Sequence, residues 1–293
     1  METSSPVSSP ARVFDLTEIA CKAGDLPALP GIALKVFELT KDPNTSGRQL
    51  EEVIKRDQSL AAKMLKIVNS AMYSLPREVS TISHAVAILG METVRSVVMA
   101  SAMQNIFRSG MRHGAGLGTK LLWDHSTGAA IAARSLARLV RYPDPEEAFL
   151  CGLMHDIGKP VLLQKYPKDY DHIFSQVYLG AGTFYELELD IFGFSHGDVG
   201  ALVSNKWNFP RKLSTAIQFH HDPLAATENL PLACIVNLAH LVMVYLEVGF
   251  EKNSTLELDK QPAAESLRLD AKKMESALIE IQNAITQMPN LIR

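Results

Sequence analysis

The sequence LCGLMHDIGK occupies residues 150–159 and places two polar neighbours, His155 and Asp156, inside a run of small and apolar residues. A helix is predicted from Glu146 to Ile157, with the composition of a buried element. A buried carboxylate without a partner is strongly destabilising. Adjacent helical residues lie about 100° apart around the axis, so both side chains can reach one point beside the helix. A divalent cation there would satisfy both groups, since imidazole and carboxylate bind zinc, iron and manganese.

Four further histidines are placed where they can join this pair. His220 and His221 are adjacent at the end of a predicted helix and repeat the arrangement. His125 lies within a long predicted helix, and His196 lies at the start of another, for which Ser195 is the expected cap. Helical bundles build metal sites from side chains on facing helices. The sequence therefore offers five imidazoles and one carboxylate, from four helices, to a common site.

Composition and periodicity favour an all-α fold. Apolar residues make up 47% of the chain and aromatic residues only 7%, which favours packed helices over sheets. No β pattern, internal repeat or heptad seam is found. Helices are predicted over residues 13–23, 31–41, 58–69, 83–89, 91–107, 121–140, 146–157, 168–180, 183–189, 194–205, 210–221 and 230–249. A further helix is predicted to begin after Ser46, and residues 263–288 are predicted to form one helix or a pair.

Charge and cysteine content narrow the class of protein. The formal net charge of −3 gives no electrostatic reason to expect nucleic acid or an anionic membrane as a partner. The first residues, METSSPVSSP, lack the basic and apolar regions of a signal peptide. We therefore expect a cytoplasmic protein. Three widely spaced cysteines without a CxxC motif, Cys21, Cys151 and Cys234, are expected to be free thiols.

These motifs resemble a known family. His125 followed by His155-Asp156 is similar to the H…HD…D ligand order of the HD superfamily of metal-dependent phosphohydrolases, and the wider pattern resembles the HDOD family more closely still. The resemblance covers roughly residues 14–250. The segments that carry it, in that family's order, are Leu26-Pro27-Ala28-Leu29-Pro30, Asp57 with Ser59-Leu60, Val68-Asn69-Ser70-Ala71, Leu89-Gly90, Phe192-Gly193-Phe194-Ser195-His196, Trp207 with Pro210, and His220-His221-Asp222-Pro223.

The resemblance implies an HD-superfamily helical bundle, HDOD-like, with an N-terminal helical subdomain. We expect a disordered N-terminus over residues 1–12, an N-terminal helical subdomain over 13–115, an HD-like helical subdomain over 116–250, and a C-terminal loop and helix over 251–293. The glycine-rich stretch 109–118 is the expected boundary between the two subdomains.

The resemblance also implies a ligand set. Related HD-GYP phosphodiesterases hold two metals at positions that match His125, His155, Asp156, His196, His220 and His221. Two departures stand out: the Gly-Tyr-Pro segment is absent after Lys159, and the final aspartate of the HD pattern is replaced by His240. We expect His240 to be a core residue rather than a ligand. The expected cofactor is one or two divalent transition-metal ions, iron before manganese or zinc, because no thiolate set is present.

Two functions follow from this resemblance. HDOD proteins are found in bacterial signalling, and the two departures favour a regulatory protein that binds an unknown signalling protein or a small phosphorylated ligand. The second function is that of a phosphohydrolase or phosphodiesterase acting on a nucleotide or cyclic dinucleotide, in which Asp156 bridges two metals and Lys159 steadies the substrate phosphate. The same residues would also suit a metal-free, hydrogen-bonded His155–Asp156 pair or an oxygen-activating di-iron protein.

Overall fold

The computed structural model describes residues 14–21, 26–69, 75, 77–109 and 116–287, and every regular element within them is a helix. The prediction of an all-α fold is confirmed. Short 3-10 turns occur at Pro223–Ala225 and Leu258–Lys260. The α-helices are α1 (Leu16–Cys21), α2 (Gly31–Leu39), α3 (Gly47–Ile54), α4 (Gln58–Val68), α5 (Ile82–Leu89), α6 (Met91–Ser109), α7 (Gly116–Leu139), α8 (Pro145–Met154), α9 (Gly158–Lys165), α10 (Pro167–Tyr178), α11 (Phe184–Phe192), α12 (His196–Lys206), α13 (Arg211–Gln218), α14 (Leu230–Tyr245), α15 (Pro262–Ser266) and α16 (Ala271–Gln287).

Side-chain caps set the starts of several helices. Ser46 accepts a hydrogen bond from the backbone N–H of Gln49, and the Gln49 side chain accepts one from the Ser46 backbone in return. Ser195 makes the same reciprocal arrangement with Asp198, so α12 begins at His196. These caps satisfy backbone donors that have no partner within the helix.

One predicted helix ends early and is followed by a helix that was not predicted. The helix expected over 146–157 ends at Met154, with His155 as its C-cap, and α9 begins at Gly158. In a continuous helix the ring of Pro160 would clash with the carbonyl of Asp156. The chain therefore turns after His155, and Pro160 occupies the first turn of α9.

Other helix ends also differ from the predictions. The helix expected over 210–221 ends at Gln218, so His220 and His221 lie in the turn that follows α13. The helix expected over 230–249 ends at Tyr245. Helix α7 extends back to Gly116, into the glycine-rich stretch. Residues 110–115 and 1–13 lie outside the described residues, so the subdomain boundary and the disordered N-terminus stay predictions.

The helices share one core, which runs from Ile19 to Ile281. Helix α7 packs against α8 and α14, and α12 packs against α13 and α9. Helix α6 contacts α2 as well as α7 and α8, which joins the N-terminal helices to the rest. This packing surrounds one interior point with α7, α8, α12, α13 and α14, the segments that carry the candidate ligands.

Among the described residues, no single helix combines the length and apolar composition needed to cross a membrane. The helices Ile82–Leu89 and Met91–Arg108 together have the required length and apolar composition, but the chain bends by 114° between them. Apolar residues of this pair, among them Val94 and Met103, are fully buried in the core.

Candidate metal centre

The six predicted site residues lie together in the interior, and His240 lies with them. Two groups of imidazoles can be defined. In each group the ligand atoms lie within 4.8 Å of one another: the first group is His125, His155 and His240, and the second group is His196, His220 and His221. Asp156 belongs to a third cluster of the same kind with His155 and His220, and so lies between the two groups.

Close contacts between helix ends bring the ligands together. A Cβ atom on Gly158 would lie 2.0 Å from the carbonyl oxygen of His196, so only glycine allows α9 to start against the start of α12. A Cβ atom on Gly197 would lie 2.7 Å from the carbonyl oxygen of Gln218, at the end of α13. These two glycines let His196 approach both Asp156 and the His220-His221 turn.

Four imidazoles donate from Nδ1 to an oxygen. Three of these acceptors are backbone carbonyls, which only accept, so Nδ1 carries the proton and Nε2 keeps its lone pair. Such contacts orient histidine ligands in metal sites. The pairs are His125 with the Val248 carbonyl at 2.9 Å, His155 with Gly152 at 2.7 Å, His220 with Ile217 at 2.7 Å, and His196 with the Glu188 carboxylate at 2.6 Å.

The Nε2 atoms of these rings face Asp156. The Oδ1 atom of Asp156 lies 3.2 Å from His196 Nε2, 3.4 Å from His155 Nε2 and 4.0 Å from His220 Nε2. The Oδ2 atom lies 3.8 Å from His125 Nε2. Despite these distances, neither Asp156 Oδ1 nor His155 Nε2 has a contact with hydrogen-bond geometry among the described residues. The His155 and Asp156 side chains therefore do not form a hydrogen bond with each other.

Burial sets the charge of the ligands. Burial lowers the pKa of the His155 imidazole to about 3, against the opposing field of Asp156. It also lowers the pKa of His125, His220, His221 and His240, so these rings are neutral at neutral pH. Burial opposes ionisation of Asp156, but His155, Lys159 and His196 hold its pKa well below its usual range. Neutral imidazoles around an ionised carboxylate form the donor set of a transition-metal site.

His196 differs from the other rings because its partner is charged. Burial disfavours the cation, but the Glu188 carboxylate raises the pKa of His196 to about 9. Without a bound cation, His196 therefore carries a second proton on Nε2. That proton faces Asp156 Oδ1 at 3.2 Å, His220 Nε2 at 3.2 Å and His221 Nε2 at 3.1 Å. A single proton bonds well to one acceptor at a time, whereas a metal ion accepts all of them as ligands.

Glu188 was not singled out from the sequence. It is fully buried in α11, and its second oxygen accepts a 2.6 Å hydrogen bond from the Tyr170 hydroxyl. Phe184, Glu188 and Phe192 are spaced four residues apart and are all buried. The sequence signal for Glu188 is that a charged residue occupies a position between two apolar residues on the same helix face.

His240, expected to be a core residue, is buried and also lies within the first group. Its Nδ1 atom lies 3.0 Å from His125 Nε2, and its Nε2 atom lies 3.8 Å from Glu251 Oε2. Glu251 was not singled out either, since it begins a polar loop and no spacing marks it.

Lys159 pairs with Asp156 inside the protein. The Lys159 side chain is 2% exposed, and its ammonium group donates a 2.9 Å hydrogen bond to Asp156 Oδ2. The ammonium group also lies 4.5 Å above the centre of the Phe184 ring. Burial opposes the charge, but the Asp156 carboxylate raises the pKa of Lys159, so the ammonium form persists.

A pocket of about 390 Å³ leads from the surface to the centre. His221, His240 and Glu251 line it on the side of the metal centre, and His221 stacks on Tyr185 with ring centres 4.6 Å apart. The remaining polar lining includes Glu186 and Lys252. A ligand that enters this pocket can therefore contact members of both groups.

Comparisons with known proteins agree with this fold. The family model described as the HDOD domain matches residues 26–223. An HDOD domain protein of unknown function from Geobacter sulfurreducens shares 24% identity with a TM-score of 0.78, over 94% of this chain and 97% of that chain. A Shewanella amazonensis protein assigned provisionally as a phosphohydrolase shares 22% identity with a TM-score of 0.70, over 93% of this chain and 94% of that chain.

A relative is also found by sequence. An uncharacterised protein of Treponema pallidum is 24% identical over 275 residues, which cover 91% of this chain and 52% of that protein. The chain thus spans about half the length of the curated relative that it matches. At this level of identity the solved structures establish the fold, and the function has to be argued from the site.

Proposed function

The chain belongs to the HDOD family, and on that premise we propose that it is a regulatory protein whose helical core binds one or two divalent transition-metal ions. One observation carries the proposal. The Nε2 lone pairs of His155 and His220 face Asp156 Oδ1 at 3.4 Å and 4.0 Å, and the Nδ1 protons of both rings are committed to backbone carbonyls. Buried lone pairs that face one another repel unless a cation lies between them.

The residues present fit such a cation. Asp156 would contribute to both metal positions, with the first group on one side and the second group on the other. We propose iron before manganese or zinc, since the donors are imidazole and carboxylate and no thiolate is among the clustered groups of the described residues. A bound dication would act as a Lewis acid toward a phosphoryl or water oxygen.

The surroundings of the pocket favour a regulatory role. Asp156 and Lys159 do not line it, and Lys159 is committed to Asp156. The charged side chains at the described lining are Glu186, Glu251 and Lys252, which form no basic clamp for a substrate phosphate. We propose that a small phosphorylated ligand or a signalling protein binds at this opening through the metal centre itself.

A phosphohydrolase is the second candidate. It is favoured by the open path, because an entering ligand meets His221 and His240 directly. In that case Asp156 would be shared between metals. Lys159 would keep Asp156 ionised rather than contact the substrate.

The test is elemental analysis of the untagged chain purified without added metal. We expect one to two transition-metal ions per chain in the natural protein and less than about a tenth of that in Asp156→Asn, because the carboxylate that lies between the two groups is lost. Asp190→Asn, at an exposed position of α11, is the matched control and should retain the metal. A natural protein that binds no transition metal, even on titration, would end the proposal.

Activity assays separate the two candidates. The metal-loaded protein is assayed on a generic phosphodiester and on cyclic dinucleotides. Absence of turnover supports the regulatory role, whereas turnover that is lost with chelator and in Asp156→Asn supports the phosphohydrolase.

A further inference from the structure

We infer that Glu251 is a positioning residue for His240, and that this carboxylate–imidazole pair completes the metal position of the first group. The inference rests on the proposed metal centre and names a residue of the centre that no motif in the sequence marks.

The first step concerns the nitrogen atoms of His240. Its Nδ1 lies 3.0 Å from His125 Nε2, whose own Nδ1 donates to the Val248 carbonyl. His125 Nε2 therefore has a lone pair. If His240 carries its proton on Nδ1, the two rings form a hydrogen bond and His125 is lost as a ligand. If the proton is on Nε2, both lone pairs face the same point, together with the unpartnered Nε2 of His155.

The second step concerns what faces His240 Nε2. Glu251 Oε1 accepts a 2.7 Å hydrogen bond from the backbone N–H of Phe184, which anchors the carboxylate at the start of α11. The other oxygen, Oε2, is left 3.8 Å from His240 Nε2, and the side chain is only 10% exposed. At that distance the contact is a charge interaction rather than a hydrogen bond. A negative oxygen beside Nε2 favours the proton there and frees Nδ1 to bind metal.

The third step concerns the charge of the centre. Asp156 is already paired with the Lys159 ammonium group, so its charge does not by itself balance a dication among neutral rings. Buried charge is costly unless it is compensated nearby. In the second group, the Glu188 carboxylate accepts a hydrogen bond from His196 Nδ1. In the first group, the Glu251 carboxylate lies near His240 Nε2. Each group thus has one carboxylate behind one of its imidazoles.

The experiment measures Co²⁺ binding to the full metal-free chain against a competing chelator, from visible absorption and the number of ions bound. We expect Glu251→Gln, which keeps an oxygen for Phe184, to weaken binding at one of two ions about 10–100-fold. The same change in a His240→Asp background should alter binding less than about threefold, because an aspartate ligand has no tautomer to select. Glu186→Gln is the matched control: Glu186 lines the same pocket and caps the same helix through Thr183, without contacting an imidazole.

Each result decides the inference. A positioning role requires weaker binding in Glu251→Gln, unchanged binding in Glu186→Gln, and little effect of Glu251→Gln in the His240→Asp background. If Glu251→Gln only lowers the melting temperature, or weakens Co²⁺ binding equally in both backgrounds, Glu251 is a helix cap and the inference is wrong. If the natural chain binds no Co²⁺, the metal centre itself is refuted. This outcome is distinguishable from failure of the Glu251 inference because it is measured on the natural chain alone.

Discussion

The imidazoles of the candidate metal centre differ in the kind of oxygen that accepts the hydrogen bond from Nδ1. Carbonyl oxygens accept from His125, His155 and His220, whereas a carboxylate accepts from His196. A charged acceptor makes the ring a stronger donor to a metal than a neutral one does. Once a metal ion displaces its Nε2 proton, His196 is therefore expected to be a stronger ligand than its neighbours, provided that Glu188 keeps its charge.

Replacing Glu188 with Gln tests this difference. We expect the affinity of the second group for Co²⁺ or Mn²⁺ to fall about 10–100-fold, because the amide keeps the size of the side chain but loses its charge. Competitive titration with a chelator measures the change. Tyr170→Phe removes only the hydroxyl that donates to the other oxygen of Glu188, so its effect should be smaller. Equal affinities for Glu188→Gln and the natural protein would contradict the role given to the carboxylate.

The signals in the sequence differ in strength from residue to residue. His155 and Asp156 were detectable because two polar neighbours interrupt an apolar run. Glu188 was detectable in principle from its spacing with Phe184 and Phe192. Glu251 was not, because it lies in a polar loop where a carboxylate is ordinary, and only the contact with His240 distinguishes it.

At the scale of the elements, the site depends on how closely helix ends approach. The start of α9 meets the start of α12 at Gly158, with no room for a Cβ atom beside the backbone of His196. Backbone on both sides cannot move as a flexible side chain would. The approach therefore constrains both helices and the position of His196.

Replacing Gly158 with Ala should push the two helices apart. We expect the free energy of unfolding to fall by about 1–3 kcal/mol, as for other overpacked sites, and metal content to fall with it. Urea denaturation of the metal-free protein gives the first quantity and elemental analysis the second. Gly31→Ala is the control, since a Cβ atom there meets nothing within 4 Å. A Gly158→Ala protein as stable as the control would show that the helices adjust without cost.

The helix ends near the site were the least predictable elements. Helix caps depend on local sequence, and the structure has the predicted cap at Ser195, with α12 beginning at His196. The end of α8 was placed too late because apolar periodicity continues through Ile157, although Pro160 prevents the helix from continuing. The same periodicity carried the prediction past the end of α14 at Tyr245.

At the scale of the molecule, the metal centre joins segments that are far apart in the chain. Helix α8 is held at its start by α6, through the 2.8 Å hydrogen bond from Ser96 to Glu146, and its C-cap is the proposed ligand His155. The other proposed ligands lie in α7, α12 and α14 and after α13. A metal that binds the folded chain alone would therefore increase the stability of the whole chain.

Metal removal should lower the melting temperature. With free Co²⁺ or Mn²⁺ at 100 times its dissociation constant, we expect about 2.7 kcal/mol of added stability relative to excess chelator. Calorimetry at both conditions measures it. Mg²⁺, which prefers oxygen ligands, should have little effect on an imidazole-rich site. Asp156→Asn should show no stabilisation by Co²⁺, and an equal gain in that variant would place the metal elsewhere.

The sequence by itself determined the all-α class, several helix starts and the chemical types of the candidate ligands. Helical periodicity, caps and the His155-Asp156 pair depend on residues a few positions apart. Only the tertiary structure decided that His240 meets His125, 115 positions away, and that Glu251 lies behind it. The first contact arises from the packing of α14 against α7, and the second from the segment after α14, where Glu251 accepts a hydrogen bond from the Phe184 backbone at the start of α11. A partner chosen by packing leaves no local pattern in the chain.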